Sequence, residues 1–177
     1  MSTGQAHYID CTDPGVKRKI SRIMRELKKG VVISNSLNIP NLLYNERYVD
    51  LLIAKKLGHR FNLETQGADA LTGNNRHVEY KSIVKKDRKY KGSFQFHWLS
   101  KKKIAKYQKC AYFYCVWRNG FTIEKMIRVP REVLMKQIKK KKGKKGSTAG
   151  HKSFGHRQIE KLVANGKAVL VYDKTSG

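Results

Sequence analysis

The chain has 177 residues, 40% hydrophobic and 10% aromatic, three cysteines and a formal net charge of +26. That is enough apolar material for one buried core, so a single domain over residues 1–177 is expected and a disordered basic tail is excluded. No apolar run is long enough to span a bilayer, and the charge favours a polyanion, nucleic acid being the commonest.

Residues 1–15 read as a loose arm that ends at Asp13-Pro14-Gly15, without the basic-then-apolar layout of a signal peptide. Apolar residues at Val16, Ile20, Ile23, Met24 and Leu27 predict a basic helix over 16–29, stopped by Gly30. A second helix is predicted over 41–57, with Gly58 as its C-cap and Glu46 on or beside its apolar stripe. Three strands follow, over 61–65, 68–71 and 77–83, the last two joined by the turn chemistry of Gly73-Asn74-Asn75. Residues 85–92 read as a basic loop and 93–98 as a strand, and Ser100 caps a helix reaching Lys109. Residues 111–117 form an aromatic and apolar run, the mark of a buried central strand. A strand over 121–129 and a helix over 130–139 precede a Lys-, Gly- and Ser-rich stretch, 139–153, read as a mobile basic loop. A helix over 158–164 and a strand over 168–172 close the chain. The order predicts an α/β fold of the α+β kind, a central mixed β-sheet flanked by helices. Cys11, Cys110 and Cys115 have no metal-ligand spacing, and a reduced, intracellular (cytoplasmic) setting is expected.

Acids are scarce, 13 Asp and Glu against 39 Lys and Arg, so their placement is informative. In the run GADALTGNNRHVEYKS, residues 67–82, Glu79 and Lys81 are two apart and share a strand face. A hairpin symmetric about Asn74 sets Asp69 opposite Glu79, with Cβ atoms roughly 4.5–5.5 Å apart. Two carboxylates that close repel, and one stays protonated unless a cation neutralises them. Mg²⁺ suits such a pair because it takes one or two carboxylates plus waters. A metal beside a lysine is equipment for phosphodiester hydrolysis: the metal polarises a phosphoryl oxygen and acidifies the attacking water.

This pattern resembles the PD-(D/E)XK nuclease superfamily, which includes type II restriction endonucleases, Holliday-junction resolvases and some homing endonucleases. The likeness covers residues 42–138 as a catalytic core: Glu46 matches the helix glutamate, Asp69 the first acid, and Glu79-Tyr80-Lys81 the second acid, spacer and lysine. Ala68 stands where the name-giving proline would be. The resemblance implies a restriction-endonuclease-like core, Mg²⁺ (with Mn²⁺ as a substitute) held by Asp69, Glu79 and the Tyr80 carbonyl, a water positioned by Lys81, and support from Glu46. Asp50, one turn later, is the alternative helix acid. It also implies DNA as partner and a homodimer, since one site per subunit cuts one strand. Type II restriction is the leading role, with a resolvase or homing enzyme as the alternative. The rival class is a non-catalytic nucleic-acid binder whose acids only make salt bridges. Arg88, Lys89, Lys91, Lys101, Lys102 and Lys103 are candidates for backbone phosphates, and Arg76 at the hairpin tip for a groove.

Overall fold

The computed structural model describes residues 13–39, 42–43, 46–64, 67–86, 89–90, 92–97, 99–139 and 150–176. They divide into two compact units, Met1–Tyr44 and Asn45–Gly177, where the sequence predicts one domain. Among the described residues no helix is long and apolar enough to cross a membrane.

The first unit carries one long helix, α1 (Pro14–Ser36). The Asp13 carboxylate caps it by accepting from the Val16 amide at 2.8 Å, and Pro14 supplies a first helical residue that needs no hydrogen bond. Pro14 and Gly15 are therefore helical, while residues 1–12 of the expected arm lie outside the described residues. Gly30 does not stop this helix. An interior glycine costs only about 1 kcal/mol, and the turn that follows continues to Ser36.

The second unit holds α2 (Arg47–Leu57), β1 (Arg60–Phe61), β2 (Ala70–Leu71), β3 (His77–Lys86), β4 (Lys89–Tyr90) and β5 (Ser93–Phe96). Then come α3 (Lys101–Lys109), β6 (Tyr112–Asn119), β7 (Thr122–Pro130), α4 (Arg131–Lys139), β8 (Lys152–Gly155), α5 (His156–Ala164) and β9 (Val169–Asp173). The main sheet runs β1-β2-β3-β6-β7-β9, with β4 attached to β3, and β5 and β8 form a separate ribbon. The β3–β6 pair is parallel and the remaining pairs are antiparallel, so the mixed sheet is as the element order predicts.

Several boundaries differ from the sequence reading. α2 begins at Arg47 rather than 41, and Leu42 and Leu43 lie in a turn. β1 and β2 keep two residues each, because local side-chain bonds at Asn62 and Asp69 divert the backbone between them. β4 lies in the stretch expected as a loop. β8 lies at the end of the expected mobile stretch, anchored by buried Phe154; residues 140–149 are outside the described residues.

Strand alternation divides the core in two. Phe113, Cys115 and Trp117 of β6 pack with residues of α3, α4, α5 and the ribbon. Tyr114 and Val116 point the other way and pack with Val49, Ile53 and Ala54 of α2. Cys110 and Cys115 are free thiols within the first of these clusters.

Arg47 fixes α2 to the chain leading into the site. Its guanidinium donates to the carbonyls of Asn62, Leu63 and Glu64 at 2.9, 3.1 and 3.1 Å and lies over the Phe61 ring. Arg47→Ala should cost on the order of 2 kcal/mol, since three partly buried backbone carbonyls lose a charged donor. A lower urea midpoint at unchanged slope is the expected readout; an unchanged midpoint would show that the clamp holds nothing.

Candidate metal and nucleic-acid site

Val78 and Tyr80 enter the cluster under α2, whereas Ile83 packs in the α3–α5 cluster, so Glu79 and Lys81 share the latter face. Ala70 pairs with Val78 and Leu71 with His77, a register that continues to set Asp69 against Glu79. The turn closes through the Thr72 amide on the Arg76 carbonyl at 3.0 Å and the Asn75 amide on the Thr72 carbonyl at 2.9 Å. Asn75 supplies the left-handed residue, φ 57°, a conformation asparagine tolerates.

The regular ladder stops at Asp69. Its carbonyl keeps the β1–β2 register and accepts from the Asn62 amide at 3.0 Å, but its own amide crosses to the Val78 carbonyl at 3.1 Å. The side chain takes over: Oδ2 accepts from the Tyr80 amide at 2.6 Å. Asp69 is thus aimed by the backbone of the strand that carries Glu79.

Glu79 is 2% exposed. Its Oε1 accepts from Lys81 Nζ at 2.8 Å. Lys106 Nζ, from α3, lies 2.8 Å from Oε2 and 3.9 Å from Asp69 Oδ1. The contact with Oε2 is a buried ion pair at hydrogen-bonding distance. The Tyr107 hydroxyl beside it is buried without a hydrogen-bond partner. The Lys81 ammonium also lies 5.6 and 5.8 Å from the ring centres of Phe96 and Tyr107.

These contacts separate the ionisations. Burial would raise Glu79, but Lys81 and Lys106 outweigh it and hold its carboxyl below the ordinary range. Burial and then Glu79 push Asp69 up to about 6, against Lys81, Lys106 and the Tyr80 amide. Burial would lower Lys81, yet Glu79 and Asp69 raise it, so it stays an ammonium. Lys103 is held below its ordinary value by burial and by Lys81 and Lys106.

The helix carboxyl that interacts electrostatically with this pair is Asp50. Burial first, then Asp69, push its carboxyl up to about 8, and Lys81 and Glu79 act on it as well. Glu46 is not brought to the pair. It is the exposed residue preceding α2, in a left-handed conformation with φ 59°, and its Oε2 meets Arg118 Nη2 at 3.0 Å. That arginine also donates to Ser82, which alternation places on the face opposite Glu79 and Lys81. The Tyr80 ring lies on that face too, its hydroxyl 2.8 Å from His59 Nδ1.

Beside the carboxylates lies a cleft of about 760 Å³ lined by Ala68, His77, Lys102, Lys103, Lys106 and Lys109, among others. Lys102 and Lys103 are thus at the site, while Lys101 is exposed on the same helix and does not line the cleft. Arg76 donates to the Tyr112 hydroxyl at 3.1 Å and lines a separate cavity of about 460 Å³ with Lys109 and Arg131. Arg88 and Lys91 lie outside the described residues; Lys89 pairs through its backbone in β4, and its side chain is likewise outside them. Lys106 is the residue that sequence reasoning missed. Its signal was the helical spacing of Lys102, Lys106 and Lys109, which puts three lysines on one face beside the buried Tyr107.

Among the described residues no three of His, Cys, Asp and Glu gather as a metal-binding group. Asp69 and Glu79 still fit a cation, because Asp69 Oδ1 and Glu79 Oε2 already converge on one, and Mg²⁺ commonly takes only one or two carboxylates. No family model matches the chain, and no curated protein is significantly similar to it.

The raised carboxyls fix a pH dependence. Unfolded Asp50 ionises near the ordinary carboxyl value of 3.8, while the folded carboxyl keeps its proton up to about pH 8. Between those values the folded state binds more protons, so stability falls as pH rises. In chelator, the protein should melt higher at pH 5.5 than at pH 8, and Asp50→Asn should remove most of the difference. Equal melting of the wild type at the two pH values would refute this.

Proposed function

We propose that the protein is a Mg²⁺-dependent endodeoxyribonuclease with a restriction-endonuclease-like core. The observation that carries this reading is the convergence of Asp69 Oδ1 and Glu79 Oε2 on one cation, with Lys81 on the same strand face and a lysine-lined cleft alongside. Asp69 and Glu79 would hold the metal, with the Tyr80 carbonyl as a third donor and Asp50 as the supporting acid in place of Glu46. When bound, the metal supplies polarisation of a phosphoryl oxygen and a more acidic attacking water. Lys81 keeps its proton, so it serves as a donor and counter-charge toward the phosphate rather than as a base. Lys102, Lys103 and Lys109 would hold backbone phosphates and set the strand over the carboxylates.

Type II restriction is the role we favour, with a junction resolvase or homing enzyme as the alternative within the same chemistry. Cutting both strands calls for a second copy of the chain. A non-catalytic DNA binder is the second reading, favoured by one observation: both carboxylates already have lysine partners.

Plasmid and a four-way junction incubated in Mg²⁺, Mn²⁺ or EDTA separate these readings. Cleavage by the wild type in metal only, with losses of at least ~100-fold in Asp69→Asn and Lys81→Ala, is expected. Intact substrates under every metal condition would leave the binder. Affinity for DNA should also fall steeply between low and moderate salt, and a flat salt profile would count against the lysine cleft.

A further inference from the structure

Lys106 stands where a cation shared by Asp69 and Glu79 would stand. Its ammonium is 2.8 Å from Glu79 Oε2 and 3.9 Å from Asp69 Oδ1. The two lysines at Glu79 are not equivalent. Lys81 belongs to the same strand as Glu79, donates to Oε1 with hydrogen-bond geometry, and is 19% exposed. Lys106 reaches in from α3, engages the opposite oxygen, and is 28% exposed at the wall of the cleft. Lys102 and Lys109 lie one turn to either side of it and line the same cleft.

We propose that Lys106 is a built-in counter-ion of the carboxylate pair, which a divalent cation must displace, and that the released ammonium moves into the phosphate cleft. This rests on the metal-dependent reading above. A dication and an ammonium cannot share two carboxylate oxygens, because they repel at a few ångströms. Lys81 can stay, since its contact is with the other oxygen. Lys106 has space to leave, and its four-carbon stem can carry its charge from the metal position to the phosphate position. The pair is therefore kept charged and folded without metal, and the cleft gains a cation when metal arrives.

Two measurements test this on the full chain. In calorimetric titration with Mn²⁺, Lys106→Met should bind roughly tenfold more tightly than wild type or better, and Lys103→Met should change affinity much less. An equal gain in Lys103→Met would reduce the effect to general charge and overturn the proposal. Equal affinity in wild type and Lys106→Met, with binding lost in Asp69→Asn, would overturn displacement and leave the metal site standing. No binding by any of the proteins would overturn both. The second measurement uses wild type alone, so it does not depend on how the variants fold. Acetylation of Lys106, read by mass spectrometry, should be several-fold faster in Ca²⁺ than in EDTA while Lys103 stays nearly constant; an unchanged Lys106 rate would overturn the proposal.

Discussion

The rest of the site depends on keeping Glu79 ionised where water scarcely reaches it. An isolated buried carboxylate costs several kcal/mol and would take up a proton instead. Two ammoniums prevent that, one from the same strand and one from α3. Both impose structure. Lys81 runs along its own strand beneath the Phe96 and Tyr107 rings, so the ribbon and α3 must cover it. Lys106 can reach Oε2 only if α3 docks with Tyr107 in the core, because the two residues are adjacent on that helix. Core packing and charge pairing thus select the same orientation of α3.

Asp69 is held by a different device. A carboxylate pushed up to about 6 is easily protonated, and a mobile one would turn away from Glu79. Its bond from the Tyr80 amide replaces a ladder hydrogen bond with a side-chain one, so the strand that presents Glu79 also orients its partner. The shortness of β2 follows from this, since a longer regular strand would bring the Tyr80 amide to the Ala68 carbonyl, which here accepts from the Asn62 side chain. The site takes its precision from backbone geometry.

This explains what was legible in the sequence. Turn residues and strand alternation act locally, and they set the Asp69–Glu79 register and the shared face of Glu79 and Lys81. The buried run of β6 was legible for the same reason. The choice between Glu46 and Asp50 was not, because it turns on one left-handed residue: φ 59° at Glu46 starts the helix after it and swings its carboxylate to Arg118. Spacing to Gly58 cannot report that. The β5–β8 ribbon joins segments far apart in the chain, so neither local pattern contains its partner. Lys106 lay in a run of lysines whose individual directions are set only when α3 docks.

The net charge gives this arrangement a further consequence. A field of +26 attracts a polyanion and repels a divalent cation. Screening confines much of that repulsion to within about 8 Å at physiological salt, yet Lys81, Lys103 and Lys106 all lie close enough to act on the carboxylates. A metal entering the free protein meets that local field in full. DNA phosphates in the cleft would neutralise Lys102, Lys103 and Lys109 and supply Lys106 with a new partner as it leaves Glu79. On the proposed reading, substrate and metal therefore bind with positive coupling, each lowering the electrostatic cost of the other, and the coupling must be equal in both directions. A site built this way stays weakly metallated while empty and fills when its substrate arrives.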